Sequence, residues 1–403
     1  MKSLIDKLKE IDEKIKITPN EELYRERAII YNKLEKFDLA MNDYDNIIKL
    51  DSNDYNAYYD RACEWYNWKI YYLDELPPEK EIEENTIHYL KKAINIKETP
   101  KCYYRMAEIY FNLLDENEQS LKYCEKALVI EEDEKEKVEI LKLLGEIYNE
   151  LGEYNNAIEI FNSILKDNED ADAFLFRGIS YYNLANDEDN IENCEYMYKR
   201  ALEDYKHTVN LDTENIFAYI KMAQILNDVF HEIESCAKCY KKIIELEPSN
   251  EEANEFMANY YYDMNDYKST IEYINNIGDL DSDLDYLESR KAECYYELGK
   301  YTDALNIYNK VLDLKKYKRI YDYRGDIYLK LGEYDKAISD YKKFIKAYPE
   351  SKGVYYRLGM VYAKKGDKEN ALKMLTKALE LLPGNEKIIY LINDINNIGC
   401  KER

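Results

Sequence analysis

The chain has 403 residues, a formal net charge of -25 and a pI near 4.7, an acid surplus that repels a phosphate backbone and argues against nucleic acid as a partner. Hydrophobic residues nevertheless make up 46% of it and 44 residues are tyrosine, so it can bury a core and is no disordered acidic tail. No run approaches the roughly 18 apolar residues of a membrane span, the N-terminus lacks the apolar centre of a signal peptide, and a cytoplasmic protein is expected.

In chain order, residues 1–20 are expected to form a helix with Ile5, Leu8, Ile11 and Ile15 on one stripe, stopping at "TPN". From residue 21 onward, a ladder of small and aromatic residues recurs. It is clearest in "RGDIYLKLGEYDKAISDY", Arg324 to Tyr341, where a shift of 34 residues carries Gly325 onto Gly359, Tyr328 onto Tyr362, Gly332 onto Gly366 and Ala337 onto Ala371. Ten units follow, starting near Glu21, Tyr55, Pro100, Val138, Ala171, Ile216, Glu251, Asp285, Lys318 and Lys352.

The eighth positions of these units are Ala28, Ala62, Ala107, Gly145, Gly178, Ala223, Ala258, Ala292, Gly325 and Gly359. Twelve positions later, allowing for local insertions, stand Ala40, Thr86, Ser120, Ala157, Ala201, Cys236, Thr270, Ala304, Ala337 and Ala371. Small residues at both places let two antiparallel helices approach closely. Tyr31, Trp65, Tyr110, Tyr148, Tyr181, Leu226, Tyr261, Tyr295, Tyr328 and Tyr362 are expected to fill the space left between them. Gly152, Gly299, Gly332 and Gly366 mark the turn between the helices, and Pro100, Pro248, Pro349 and Pro383 punctuate unit ends. Extra chain near residues 69–85 and 186–197 lengthens units two and five and is expected to be tolerated as longer helices and turns. Residues 386–403 close the chain with a second helix, striped by Ile388, Leu391, Ile392 and Ile395, and a tail.

The order of bulky residue, Gly or Ala, Tyr, Gly, Tyr, Ala, Tyr and Pro resembles the tetratricopeptide repeat over about residues 21–385. The resemblance implies an all-α fold: a right-handed α-solenoid of helix-turn-helix units with capping helices at both ends. It also implies a non-enzymatic scaffold that holds a peptide or protein segment in a concave groove lined by the first helices. Carried over position by position, it gives two candidate surfaces. One is aromatic, with amides beside it: Tyr59, Tyr66, Asn67, Tyr104, Phe111 and Asn112 in units two and three. The other is an acidic trough, suited to a basic segment: Glu139, Glu146 and Glu150 in unit four, Glu252, Glu255 and Asp263 in unit seven, Glu293 and Glu297 in unit eight, and Asp322 and Asp326 in unit nine. Relatives that hold the acidic C-terminus of heat-shock chaperones use Lys and Asn on the first of three helices. Here Lys142 is followed by Glu146, and Ser289 by Glu293, so that clamp is missing.

No phosphate loop, nucleophile elbow or metal-protease helix is present, so no catalytic residue, metal or cofactor is assigned. The "CAKC" of Cys236 to Cys239, with His231 nearby, offers a metal or redox reading, but Cys236 falls on the small-residue position of its unit. The terminal "CKER" lacks the aliphatic residues that prenylation of Cys400 requires. A regulatory subunit that positions a separate enzyme through its edges and insertions is the alternative to a groove-binding scaffold. Finally, Arg27, Arg177 and Arg324 precede the first small residue in units that carry Asp43, Asp204 and Asp340 on the second helix, which predicts a partly buried ion pair within each of those units. Arg61 stands at the same position with Tyr89 opposite it.

Overall fold

The computed structural model describes residues 2–72, 78–166, 168–278, 285–313 and 319–398, and all regular secondary structure in them is helical. Pro77, Lys318 and Cys400 lie outside the described residues. Contacts divide the chain into two blocks, Met1–Phe230 and His231–Arg403.

In the first block, α1 (Lys2–Ile17) packs on α2 (Glu21–Lys33), which pairs with α3 (Phe37–Leu50). Next, α4 (Tyr55–Tyr72) pairs with a helix built from α5 (Glu79–Ile82), a π-turn (Glu83–Ile87) and α6 (His88–Ile96). The pairs α7 (Pro100–Asn112) with α8 (Asn117–Ile130), α9 (Glu134–Glu150) with α10 (Tyr154–Leu165), and α11 (Ala171–Asn186) with α12 (Ile191–Leu211) follow. Against α12 packs α13 (Ile216–Gln224), prolonged by a second π-turn (Ile225–Val229). In the second block, α14 (Ile233–Leu246) packs on α15 (Glu251–Asp263), which pairs with α16 (Tyr267–Ile277). The block continues with α17 (Asp285–Glu297) and α18 (Tyr301–Asp313), α19 (Ile320–Lys330) and α20 (Tyr334–Ala347), and α21 (Lys352–Lys365) and α22 (Lys368–Leu381), with α23 (Glu386–Ile398) on α22. This is the all-α repeat solenoid expected from the sequence, and the block boundary falls inside the sixth unit.

Local chemistry sets the details. Helix α9 begins at Glu134, ahead of the expected Val138, because the Asp133 carboxylate accepts the backbone N–H groups of Lys135 and Glu136. The extra chain of unit five is largely helix: α12 runs for 21 residues and starts ten positions before Ala201. Ile11 of α1 and Ile388 and Ile395 of α23 are buried against their neighbours, whereas Ile5 stays 44% exposed. No helix of the described residues is long and apolar enough to cross a membrane.

All ten first-helix small residues are buried, and all ten second-helix small residues are fully excluded from solvent. The space filler differs from the expectation. Tyr31, Tyr110, Tyr148, Tyr181, Tyr261, Tyr295 and Tyr328 are only partly buried. The residue that is buried in every unit lies on the second helix, four positions after its small residue: Tyr44, Leu90, Cys124, Phe161, Tyr205, Tyr240, Ile274, Tyr308, Tyr341 and Leu375, none more than 5% exposed. One helical turn separates the two, so both face the first helix together. The fit is tight enough that a Cβ on Gly325 would stand 2.7 Å from Tyr341 Cε1, and one on Gly359 2.7 Å from Leu375 Cγ. The partly buried tyrosines instead stack on second-helix rings, as Tyr110 does on Tyr123 and Tyr261 on Tyr273, with centroids 5.4 Å apart in each pair.

The three expected Arg–Asp pairs form, each through two parallel hydrogen bonds. Arg27 Nε and Nη2 donate to Asp43 at 2.8 and 2.6 Å, Arg177 to Asp204 at 2.9 and 2.6 Å, and Arg324 to Asp340 at 2.6 and 2.8 Å. The remaining Nη1 reaches the element before: Asp12 in α1, Asn162 in α10 and Asn309 in α18, each at 2.7 Å. One planar guanidinium therefore joins three helices. Arg61 keeps this reach without an Asp on the second helix of its own unit. It donates to the Asn85 carbonyl and side chain at 3.0 and 3.2 Å, lies 4.3 Å from the Tyr89 ring centroid, and meets Asp45 of α3 at 3.4 Å.

A fourth buried carboxylate, Glu64, has no cation among the described residues. Asn32 Nδ2 donates to Glu64 Oε1 at 2.5 Å, while Glu64 Oε2 is buried without a donor. Burial, opposed by the Asn32 bond and reinforced by the Asp60 charge, raises this carboxyl to about 7.

Two outcomes follow from these contacts. Arg27→Met strands the Asp43 carboxylate, whose one cation among the described residues is Arg27, and is expected to cost about 3 to 5 kcal/mol in chemical denaturation, whereas Arg27→Met with Asp43→Leu recovers most of that loss; equal losses in the single and double variants would show that the charge pair is not what matters. For Glu64, a folded-state pKa above the ordinary 4.5 means the folded chain holds the proton more tightly, so stability falls as pH rises through that interval and levels off above about 7. Glu64→Gln keeps the Asn32 bond with a permanently neutral group, and its denaturation midpoint should lack this decline, a difference of roughly 3 kcal/mol between about pH 5 and about pH 8.

Candidate functional site

Within the first block, the first helices α7, α9 and α11 lie side by side and line an open cavity of about 270 Å³. Tyr104, Glu108, Phe111 and Asn112 line it from α7, Glu139, Lys142, Leu143 and Glu146 from α9, and Asp172 and Phe176 from α11. The lining residues recur at three- and four-residue spacing, which places them on one stripe of each helix. Stacking has already taken the neighbouring stripes, where Ala107 and Gly145 are buried.

The charges in this cavity are unevenly satisfied. The Lys142 ammonium, largely buried, meets Glu139 at 3.0 Å, Asp172 at 3.5 Å and Asp170 at 3.6 Å. Burial works against its charge, but the three carboxylates outweigh burial and raise its pKa. Glu108 pairs with Arg105 at 3.0 Å. Glu146 has neither: it is partly buried on the cavity wall, and no cation or hydrogen-bond donor of the described residues meets it. Burial, reinforced by the Asp172 and Glu150 charges and opposed by Lys142, raises its carboxyl to about 7.

The structure thus brings half of the aromatic candidates and part of the acidic trough into one place: Tyr104, Phe111, Asn112, Glu139 and Glu146. Glu150, farther along α9, is exposed outside the lining. Tyr66 must be withdrawn from the aromatic surface. It is 4% exposed, packed beneath the Arg105 guanidinium at 4.7 Å, and its hydroxyl accepts the Asn112 amide at 2.8 Å. It seats α4 against α7. Tyr59 is partly buried against the same core, under Lys101 at 4.3 Å, and Asn67 is exposed away from the cavity.

The acidic trough of the second block is not an open field of charge. Glu252 accepts the Tyr240 hydroxyl at 2.8 Å, Glu255 that of Tyr286 at 2.5 Å, and Glu293 that of Tyr262 at 2.7 Å. Asp326 accepts the Tyr341 hydroxyl, and Arg357 pairs with both Asp322 and Asp326. Phenols and one guanidinium hydrogen-bond these carboxylates, and Asp263 and Glu297 are exposed, as is Glu252 beside its phenol. Cys236 and Cys239 are buried in α14, Cys236 at the small-residue position, and His231 holds a left-handed turn with φ 55°. No group of three or more His, Cys, Asp or Glu side chains suited to a metal occurs among the described residues.

Glu108, Lys142, Leu143, Asp172 and Phe176 were not among the expected site residues. A signal for some of them was present. Asp172 and Phe176 are the second and sixth residues of unit five, the register that Glu139 and Leu143 hold in unit four.

Comparison with known proteins agrees with this architecture. Family models for the tetratricopeptide repeat match residues 138–170 and 324–386, and a model for anaphase-promoting complex, cyclosome, subunit 3 matches residues 230–311. A TPR repeat-containing protein of Methanocaldococcus jannaschii is 25% identical over 210 residues, 49% of this chain and 35% of the relative. Hsp70-Hsp90 organizing protein 3 of Arabidopsis thaliana is 24% identical over 235 residues, 52% of this chain and 42% of the relative. The matches thus span well under half the length of these curated relatives. The solved structure of YrrB, a TPR protein with an unusual peptide-binding site, aligns with a TM-score of 0.41 and 23% identity over 47% of this chain and 98% of YrrB. With the small-residue ladder buried in all ten units and the family pattern matched in both blocks, the chain belongs to the tetratricopeptide repeat proteins.

Proposed function

We propose that the chain is a non-catalytic, cytoplasmic protein-interaction scaffold, and that the cavity between α7, α9 and α11 takes a segment of its partner. One observation carries this reading: Tyr104, Phe111 and Phe176 stand only partly buried around a single cavity, while the aromatic residues of the helix-pair interfaces, such as Phe161 and Tyr205, are fully buried. Phe176 is held by its stack on Phe161, with centroids 6.1 Å apart, and Tyr104 and Phe111 by the core beneath them, so the rings reach the cavity already fixed, at little cost in rotamer entropy. The likeness to Hsp70-Hsp90 organizing protein does not name the partner, because Glu146 stands where the chaperone clamp requires Asn.

A second reading rests on the lengthened α12, whose first two turns leave Ile191 82% and Tyr196 62% exposed. Such a protruding apolar edge suits a subunit that docks a separate enzyme. The two readings separate in one experiment. Affinity capture with mass spectrometry compares the wild type, Tyr104→Ser with Phe176→Ser, and Ile191→Ser with Tyr196→Ser, each first shown to keep its helical circular dichroism and melting temperature. Loss of a captured protein by about 10-fold or more in the cavity variant alone, the scale of an interface hot spot, is the expected result. Loss in the α12 variant alone would move the site to that edge.

A further inference from the structure

We propose that Glu146 is the specificity-determining residue of this cavity and selects a partner segment that presents one cationic side chain, lysine or arginine. This rests on the cavity being the binding site.

Every other carboxylate on the cavity wall already has a cation within 3.5 Å. Glu108, from α7, has Arg105; Glu139, from α9, and Asp172, from α11, hold Lys142 together with Asp170. Asp170 is further tied to its own helix by accepting the Ala173 N–H at 2.8 Å. Two cations therefore face five carboxylates, and Glu146 is the one left over. A carboxylate taken partly out of water beside aromatic rings gains most from a charged donor brought to it. A lysine or arginine supplies that donor, while its methylene stem covers the rings of Phe111 and Phe176. The Lys142 ammonium, held in place by three carboxylates, opposes a second cation in the same cavity. One carboxylate without a cation, in a cavity of about 270 Å³, accommodates one basic side chain.

The same arrangement links binding to protons. The titratable and charged groups around Glu146 are Tyr104, Arg105 and Glu108 from α7, Glu139, Lys142 and Glu150 from α9, and Asp172 from α11 with Asp170 before it. Among them, Glu146 has its carboxyl near 7 and no counter-ion, so a bound cation displaces its proton and affinity rises with pH across neutrality.

The test uses the full chain and fluorescein-labelled blocked heptapeptides, Gly-Gly-Ala-X-Ala-Gly-Gly, with X as lysine, arginine or norleucine, followed by anisotropy. The lysine or arginine peptide is expected to bind about 10-fold more tightly than the norleucine peptide near pH 8, on the scale of a charge-assisted hydrogen bond, and to lose most of that advantage near pH 6. Glu146→Gln should abolish the preference at both pH values while leaving norleucine-peptide affinity unchanged, and Glu150→Gln should retain the preference. Equal binding of the lysine and norleucine peptides by the wild type, or a preference that survives in Glu146→Gln, overturns the assignment but leaves the cavity as the site. n-Butylamine competing as well as the unlabelled lysine peptide also overturns it, since the ligand would then be a free amine rather than a chain segment. If no peptide binds the wild type at all, the cavity reading itself fails and the assignment of Glu146 falls with it.

Discussion

Two helices can lie against each other at close range only if one side of the contact gives up its side chain, and this constraint organises the whole molecule. Alanine or glycine on the first helix makes room, and a large residue one turn after the second small position fills it. At Gly325 the room is complete: even a methyl group would collide with the Tyr341 ring, and overpacking of that kind costs about 1 to 3 kcal/mol. Once this stripe of each helix is fixed, the other stripes are fixed as well. The Arg fork reaches back to the preceding element because its Cα sits beside the small residue, and the partly buried tyrosines stack outward because the inward place is taken.

What remains is the face lined by first helices, and the two blocks use it differently. In the second block, tyrosine hydroxyls donate hydrogen bonds to the carboxylates of α15 and α17, and Arg357 pairs with those of α19. A strongly acidic chain thereby ties successive units together with its own excess charge. In the first block, the same face carries fewer phenols at the matching positions. Lys142 gathers three carboxylates, the aromatic rings line a cavity, and Glu146 is left without a counter-ion.

The fold was legible because its determinants are local in sequence and repeated. Small residues at fixed spacing, glycines at the turns and an Arg that tracks an Asp in three of four units point to the same packing, and their burial agrees. The site was legible only in part, because the pattern marks which residues stacking consumes and not which neighbours they meet. Tyr66 illustrates the limit. Its position belongs to the open face, yet Arg105 of the next unit lies over it, a contact set by the packing of α4 on α7 that no single unit encodes. Pairing within the acidic trough was hidden for a similar reason: Glu255 and Glu293 are separated from Tyr286 and Tyr262 by 31 residues in each case, nearly one repeat away, so it appears only when successive units are laid side by side.

The π-turn at Ile225–Val229 has a bearing on how such chains diverge. Ala223 and Cys236 are thirteen positions apart, where most units keep twelve, yet both remain wholly shielded from solvent. The surplus residue is absorbed as a bulge within the helix, and the left-handed turn shifts by one place to His231. A single-codon insertion can therefore pass through a repeat without disturbing its stacking residues. It does so while throwing an ungapped comparison of that unit out of register by one, so lineages that accumulate such bulges lose recognisable similarity faster than they lose architecture.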